Sequence, residues 1–259
     1  MLKYLLIVPI ILISFTYSLA NSSEEEKAKE LIINAIKALG DKAYVSVKSE
    51  KSRGIIVPYK NSNPSALEVQ SFSNYILLPE KERVDFKGRG RRYIQSNSGS
   101  RGWVYDSDSQ ILRDQTEEQC QMFLKSLRYQ IDHILRGGWM AEGVTLSYLP
   151  KQEIWTRQFG DGVQITFSDG EQIKLFFDLQ TRLPLSVRFP KRSSNTATPT
   201  LAENRFYKFV EINGIKSPQV VDLFEDGQQV LRINYEEREF NVEIAEKLFI
   251  KPESAKSLK

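Results

Sequence analysis

Residues 83–106 read RVDFKGRGRRYIQSNSGSRGWVYD, five arginines and a lysine set among aromatic side chains. Such a stretch is a polyanion patch, a phosphate-binding turn or a plain β-hairpin, and the spacing separates them. Side chains of a strand alternate between its two faces. Val84 and Phe86 therefore share one face, and Arg83, Asp85 and Lys87 share the other. Gly88-Arg89-Gly90 supplies a tight turn, after which Arg91 opens the returning strand. The two glycines lack the third glycine and the following helix of a dinucleotide-binding turn. The basic residues thus fall at a hairpin tip and on an outer face, where charge discourages edge-to-edge pairing. Across the chain, 36 Lys and Arg stand against 33 Asp and Glu, a formal charge of +3. So close a balance argues against a protein that coats polyanions, and nucleic acid is not an expected partner.

The period-two pattern continues outward from this hairpin. AYVSVKS and ALEVQSFSNYILL precede it, and VTLSYL, QEIWTRQF, GVQITFSDGEQIKLFFD, PLSVRF, RFYKFVEI and QVVDLFEDGQQVLRINYEEREF follow. Asp169-Gly170 and Glu225-Asp226-Gly227 are hairpin signals, so the meander is read as antiparallel. Two segments switch to helical spacing. Ala28, Leu31, Ile32, Ala35, Ile36 and Leu39 recur after a capping box at Ser23–Glu26, and Cys120, Phe123, Leu124, Leu127, Ile131, Ile134 and Leu135 recur after another at Thr116–Gln119. The second stripe is read as one continuous helix ending at Gly137-Gly138. KRSSNTATPTLAEN is a polar, mobile excursion, and KPESAKSLK a solvated tail. The predicted fold class is mainly β with two principal α-helices (α+β), a curled antiparallel sheet whose open side the helices cover.

The first residues, MLKYLLIVPIILISFTYSLA, place one lysine before a short apolar run that ends in small residues. This is the pattern of a secretory leader cleaved after Ala20; a retained membrane anchor is the alternative. The expected organisation is a leader over residues 1–20, a single domain over 21–255 and a tail over 256–259. Export to the periplasm, or secretion, follows from the leader. The lone cysteine, Cys120, forms no internal disulfide and reads as a small buried side chain.

Catalytic groups are scarce. Nucleophilic triads need an imidazole, and the chain has one histidine, His133, on the second helical stripe. One histidine and one cysteine on the same helix do not make a zinc site, and DSDSQ at 106–110 lacks the glycine and closing glutamate of a calcium loop. No enzyme activity, cofactor or metal is expected. An apolar interior under helices suits binding instead, since each buried methylene of an acyl chain contributes about 0.8 kcal/mol. Periodicity alone is equally met, and more simply, by helices that fill the core and leave no cavity.

Five segments taken in order resemble the LolA-like family of periplasmic lipoprotein-sorting and lipid-binding domains. They are LPEKERVDF, GSRGWVYD, FFDLQTRLPLSVRF, EINGIKSPQVVDL and FNVEIAEKLFIKP, spread over nearly the whole chain after the leader. Each is degenerate, so the likeness lies in their order and spacing. The resemblance implies an unclosed half-barrel whose concave apolar face receives acyl chains under a helical lid. It assigns the cavity to Leu78, Val84, Phe86 and Trp103 of the sheet and to Phe123, Leu127 and Ile131 of the second helix. The sorting carrier has an arginine directly before the strand proline; Leu78 stands there in this chain, before Pro79. The expected ligand is a lipid or an acylated lipoprotein, in outer-membrane lipoprotein sorting. An RseB-like sensor module acting through a membrane-protein partner is the alternative, and a monomer is expected in either case.

Overall fold

Fourteen strands pair into one antiparallel sheet that does not close into a barrel. The structure, a computed structural model, describes residues 10–191 and 199–258, with side chains from residue 23 onward. Helix α1 (Ile10–Leu39) and a short turn of helix α2 (Lys42–Val45) lead into β1 (Ser49–Lys60) and the two-residue β2 (Asn63–Pro64). Then come β3 (Gln70–Leu77), β4 (Lys81–Gly88), β5 (Arg91–Ser98), β6 (Arg101–Asp106) and β7 (Ile111–Asp114). Helices α3 (Glu117–Ser126) and α4 (Ile131–Leu135) follow. The second run is β8 (Thr145–Trp155), β9 (Gln158–Thr166), β10 (Gln172–Asp178), β11 (Pro184–Lys191), β12 (Thr200–Ile212), β13 (Ile215–Glu225) and β14 (Gln228–Phe240).

The strand order is β7-β6-β5-β4-β3-β1-β14-β13-β12-β11-β10-β9-β8, with β2 hanging from β1. Two meanders are therefore joined in the middle, where β1 pairs with β14 and Glu50 sits opposite Phe240. The chain leaves the sheet at one edge, β7, and re-enters at the other, β8. The connection between them has to cross a whole face of the sheet, which is why α3 and α4 lie over the concave side.

Most of the hydrophobic core lies under α1 and α4. Helix α1 buries Ala28, Leu31, Ile32, Ala35 and Leu39, the predicted stripe, along β8, β9 and β13. Facing it, Val163, Ile165, Ile173, Leu175, Phe177 and Val187 are fully buried on β9 to β11. Each such side chain contributes about 1.5–3 kcal/mol. The hairpins form as their turn residues require: Arg89 (φ 53°) and Gly90 (φ 76°) are both left-handed between β4 and β5, the geometry that matches strand twist.

Several expectations are corrected. Ser23 does not cap α1, because the helix already runs from Ile10 and leaves no free N–H groups at Ser23 to cap. Glu24 and Glu25 instead pair with Lys27 and Lys29, each at 2.8 Å. The expected leader falls largely on residues 1–9, outside those described, and on 10–22, described only as backbone. Among the described residues no helix is long and apolar enough to cross a membrane. AYVSVKS is not a strand: residues 42–45 coil into α2 and bury Tyr44.

The second helix is two helices. Its capping box forms, with Gln119 N–H donating to Thr116 Oγ1 at 3.2 Å and Thr116 N–H to Gln119 Oε1 at 3.0 Å. The helix then tightens to a 3-10 turn over 127–129 and breaks at Gln130, which is extended. Tyr129 stacks flat on Phe189, with ring centres 4.2 Å apart, while Ile131, Ile134 and Leu135 enter the main core. One straight helix does not reach both docking sites. The excursion after β11 is shorter than expected, because Lys191 and Thr200 still pair as strand neighbours; residues 192–198 lie outside those described. The C-terminal residues are not simply solvated either: Ala255 and Leu258 pack against Ile94, Trp103 and Tyr105.

Candidate functional site

Between the sheet and the crossing helices lies a cavity of about 370 Å³, so the helices do not simply fill the core. Alternation along three strands builds one wall: Ile56 from β1, Phe72 and Ile76 from β3, Val84 and Phe86 from β4. Phe206, Val221, Leu223 and Ile233 from β12 to β14 form the opposite wall, and Phe123, Leu127 and Ile131 the roof. Two open grooves of about 390 and 570 Å³ flank α3. The first shares Val84, Phe86 and Phe123 with the cavity, and the second shares Tyr129 and Leu223. Helix α3 is thus a bar laid across a longer concavity.

Six of the seven residues assigned from the sequence line this cavity: Leu78, Val84, Phe86, Phe123, Leu127 and Ile131. Trp103 does not. It is buried on the opposite face, its indole N–H donating to Phe249 O at 2.9 Å and its ring 5.3 Å from the Arg83 guanidinium. The register explains the correction. Arg83 pairs with Ser96, and Ser96 with Trp103, so Trp103 shares the outer face with Arg83; Val84, Gln95 and Val104 share the inner one. Two arginines of the opening cluster are accordingly structural, with Arg83 donating to Leu248 O at 3.1 Å and Arg92 gripping Asp85 on the outer face.

One end of the cavity is polar, and the sequence reading missed it. Glu50, Asn74, Glu82, Asp132, Arg136, Tyr235 and Arg238 reach the lining. Arg238 donates from Nε to Glu50 at 3.0 Å and from Nη1 to Ser217 Oγ and Pro218 O. Tyr44 donates its hydroxyl to Asp132 at 2.8 Å, and Arg136 donates from Nε to Tyr44 O at 3.1 Å. Burial drives the Tyr44 hydroxyl far above its ordinary pKa and Tyr235 to about 12. Burial would also raise Asp132, but Arg136, Arg238 and the Tyr44 hydroxyl together hold it below the usual range. Glu82 goes the other way: desolvation in the cavity raises it, against a hydrogen bond from Asn74 at 2.9 Å. His133, also on the lining, is pushed down by burial and is neutral near pH 7. Among the described residues no cluster of three or more His, Cys, Asp and Glu is arranged to hold a metal.

No protein-family model matches the sequence, and no curated protein does. Solved structures do match in fold. A DUF1329 family protein from Desulfovibrio piger superposes with a TM-score of 0.56 at 11% identity, over 90% of this chain and 99% of that one. A LolA superfamily protein from Nitrosomonas europaea, NE2245, superposes with a TM-score of 0.53 at 13% identity, over 86% and 97%. The fold is LolA-like. At these identities the likeness is one of architecture. Two of the segments that resemble the family are the turns of that architecture. In DLQTRLP the carboxylate of Asp178 accepts from Gln180 N–H, Thr181 N–H and the Thr181 hydroxyl, between β10 and β11. Asn213-Gly214, both at positive φ, turns β12 into β13.

Proposed function

We propose that the protein is an exported, non-enzymatic binding protein that holds an acyl chain in the concave cavity. The observation that carries this reading is the cavity itself, walled by Ile56, Phe72, Ile76, Val84 and Phe86 and roofed by Phe123, Leu127 and Ile131. Apolar lining with few polar groups at one end is the usual make-up of a small-molecule site. The LolA-like architecture and the leader pattern support a place in the cell envelope, carrying a lipid or an acylated chain in lipoprotein sorting. Carriage and signalling to a membrane partner both begin with occupancy of this cavity, so occupancy is what an experiment has to establish.

The test is displacement of a fluorescent hydrophobic probe. Phe86 faces the cavity at the mouth of one groove, so Phe86→Asp should weaken probe binding by at least about tenfold, since an unpaired carboxylate there must be desolvated by an incoming chain. Circular dichroism should stay unchanged. Trp103→Phe, on the far face, should leave binding intact. Equal binding by wild type and Phe86→Asp would refute the assigned cavity.

A further inference from the structure

The concave face changes character at β5. On β3 and β4 it carries Phe72, Ile76, Val84 and Phe86, but the β5 residues registered beside β4 are polar. Tyr93 pairs with Phe86, Gln95 with Val84 and Asn97 with Glu82. The apolar residue between them, Ile94, points the other way and is fully buried against Ala255 and Leu258 on the convex face. Strand β5 is thus turned inside out, with its polar side toward the cavity. A strand that served only to fill the core would have its apolar set on that face.

These polar groups line the groove of about 390 Å³ beside α3, which shares Val84, Phe86 and Phe123 with the roofed cavity. Gln115 Nε2 donates to Ser96 O and to Asn97 Oδ1, each at 2.9 Å. Those bonds fix both amides and leave Gln115 Oε1 and Asn97 Nδ2 open. Among the described residues, the Gln95 amide and the Tyr93 hydroxyl have no hydrogen-bond partner either. None of these amide atoms is enclosed, and Tyr93 is 39% exposed, so a molecule in the groove meets both donors and acceptors.

Charge narrows the class of that molecule. Among the described residues, Glu82 is the one charged side chain lining the groove, at its junction with the cavity. Gln95, Val104 and Arg113 form one row across β5 to β7. Arg113 does not line the groove, and its Nη1 donates to Gln119 Oε1 and Asp114 O, both at 3.0 Å. A phosphate or carboxylate would shed water there without gaining a counter-charge. A sugar meets what the groove offers: its neighbouring hydroxyls donate and accept, as a primary amide does, and its C–H face can rest on the Tyr93 ring.

We propose that this groove is a sugar subsite joined to the acyl cavity, so that the ligand is a glycosylated lipid with its chain under the roof and its sugar hydroxyls on Tyr93, Gln95, Asn97 and Gln115. This rests on the reading of the cavity as an acyl site and names the head that the groove selects. The experiment is displacement of a fluorescent hydrophobic probe from the full chain by dodecyl glucoside, dodecyl tetraethylene glycol ether, laurate and dodecylphosphocholine. These share a chain and differ in the head, and each is used below its micelle-forming concentration. Dodecyl glucoside should bind at least about tenfold more tightly than the others. Gln95 has no internal bond to lose, so Gln95→Leu should keep its circular dichroism and its probe affinity and lose most of that preference. Tyr93→Phe should reduce the preference by about threefold, and it decides the matter if Gln95→Leu does not fold. Equal displacement by all the heads, a preference for laurate or dodecylphosphocholine, a glucoside no better than the ethylene glycol ether, or a folded Gln95→Leu protein that keeps the preference would overturn the sugar subsite and leave the acyl cavity standing. Failure to take up the probe or any of the ligands would overturn the cavity reading itself.

Discussion

Trp103 and Phe249 are joined through the indole N–H and a main-chain carbonyl 2.9 Å apart, on the face of the sheet turned away from the cavity. The bond belongs to a longer contact. Residues 246–258 run over the outer face, where Arg83 donates to Leu248 O, Arg92 to Leu258 O, and Lys251 pairs with Asp114. A sheet open to solvent on its convex side would leave Ile94, Trp103 and Tyr105 exposed, and this strap covers them.

Stability and binding should therefore separate across the sheet. Phe249 is 6% exposed, and Phe249→Ala should lower the unfolding free energy by about 3 kcal/mol through lost burial and the cavity left behind. Trp103 fluorescence should move to the red as water reaches the ring. Probe affinity measured below the unfolding midpoint should not change, and a parallel loss of affinity in a folded Phe249→Ala protein would tie the strap to the site.

The helices differ in how firmly they are held. Helix α1 packs along β8, β9 and β13, whereas α3 meets the sheet chiefly at β6 and has open grooves on both sides. Local opening is easiest where few apolar contacts must be broken. In hydrogen exchange, the amides of residues 120–126 should exchange at least about tenfold faster than those of 28–39, and a bound acyl ligand should slow them. Equal protection of both helices in the empty protein would mean that α3 is a fixed wall.

The hairpins, the antiparallel meander and the stripe of α1 were legible because turn residues and apolar periodicity are local signals. So was most of the cavity wall, once Val84 and Phe86 were set on one face. Trp103 was misplaced although its face could be worked out: with Arg83 outward, the tight turns at 88–91 and 98–101 bring Ser96 and then Trp103 alongside it. The break at Gln130 left no such trace, because the stripe from Cys120 to Leu135 keeps helical spacing straight through it, and the stacking of Tyr129 on Phe189 is a long-range contact. The polar end was hidden for a different reason. In β1, Ser49, Glu50 and Ser52 are all buried, and a strand that buries polar side chains gives no apolar alternation to detect. Glu82 was within reach, since it shares its face with Val84 and Phe86.

Glu82 should make the protein's stability fall with rising pH. Its pKa is raised in the folded state, first by desolvation and further by the neighbouring Glu50 carboxylate, with Asn74 opposing. A carboxyl raised on folding binds its proton more tightly in the native chain. Its contribution is complete below the unfolded value of about 4.3 and is lost as pH climbs through the raised native value. Gln at this position keeps an oxygen to accept from Asn74 and has no charge to desolvate. Glu82→Gln should thus be more stable than wild type at pH 7, and the difference should shrink toward pH 4, as read from urea unfolding at both values. Asp132, held below the usual range by Arg136, Arg238 and Tyr44, carries the opposite sign, so stability it contributes above its unfolded value of about 3.9 is lost as pH falls through the lower native one. A Glu82→Gln protein less stable than wild type by the same amount at both pH values would show that the Glu82 charge is compensated inside the cavity.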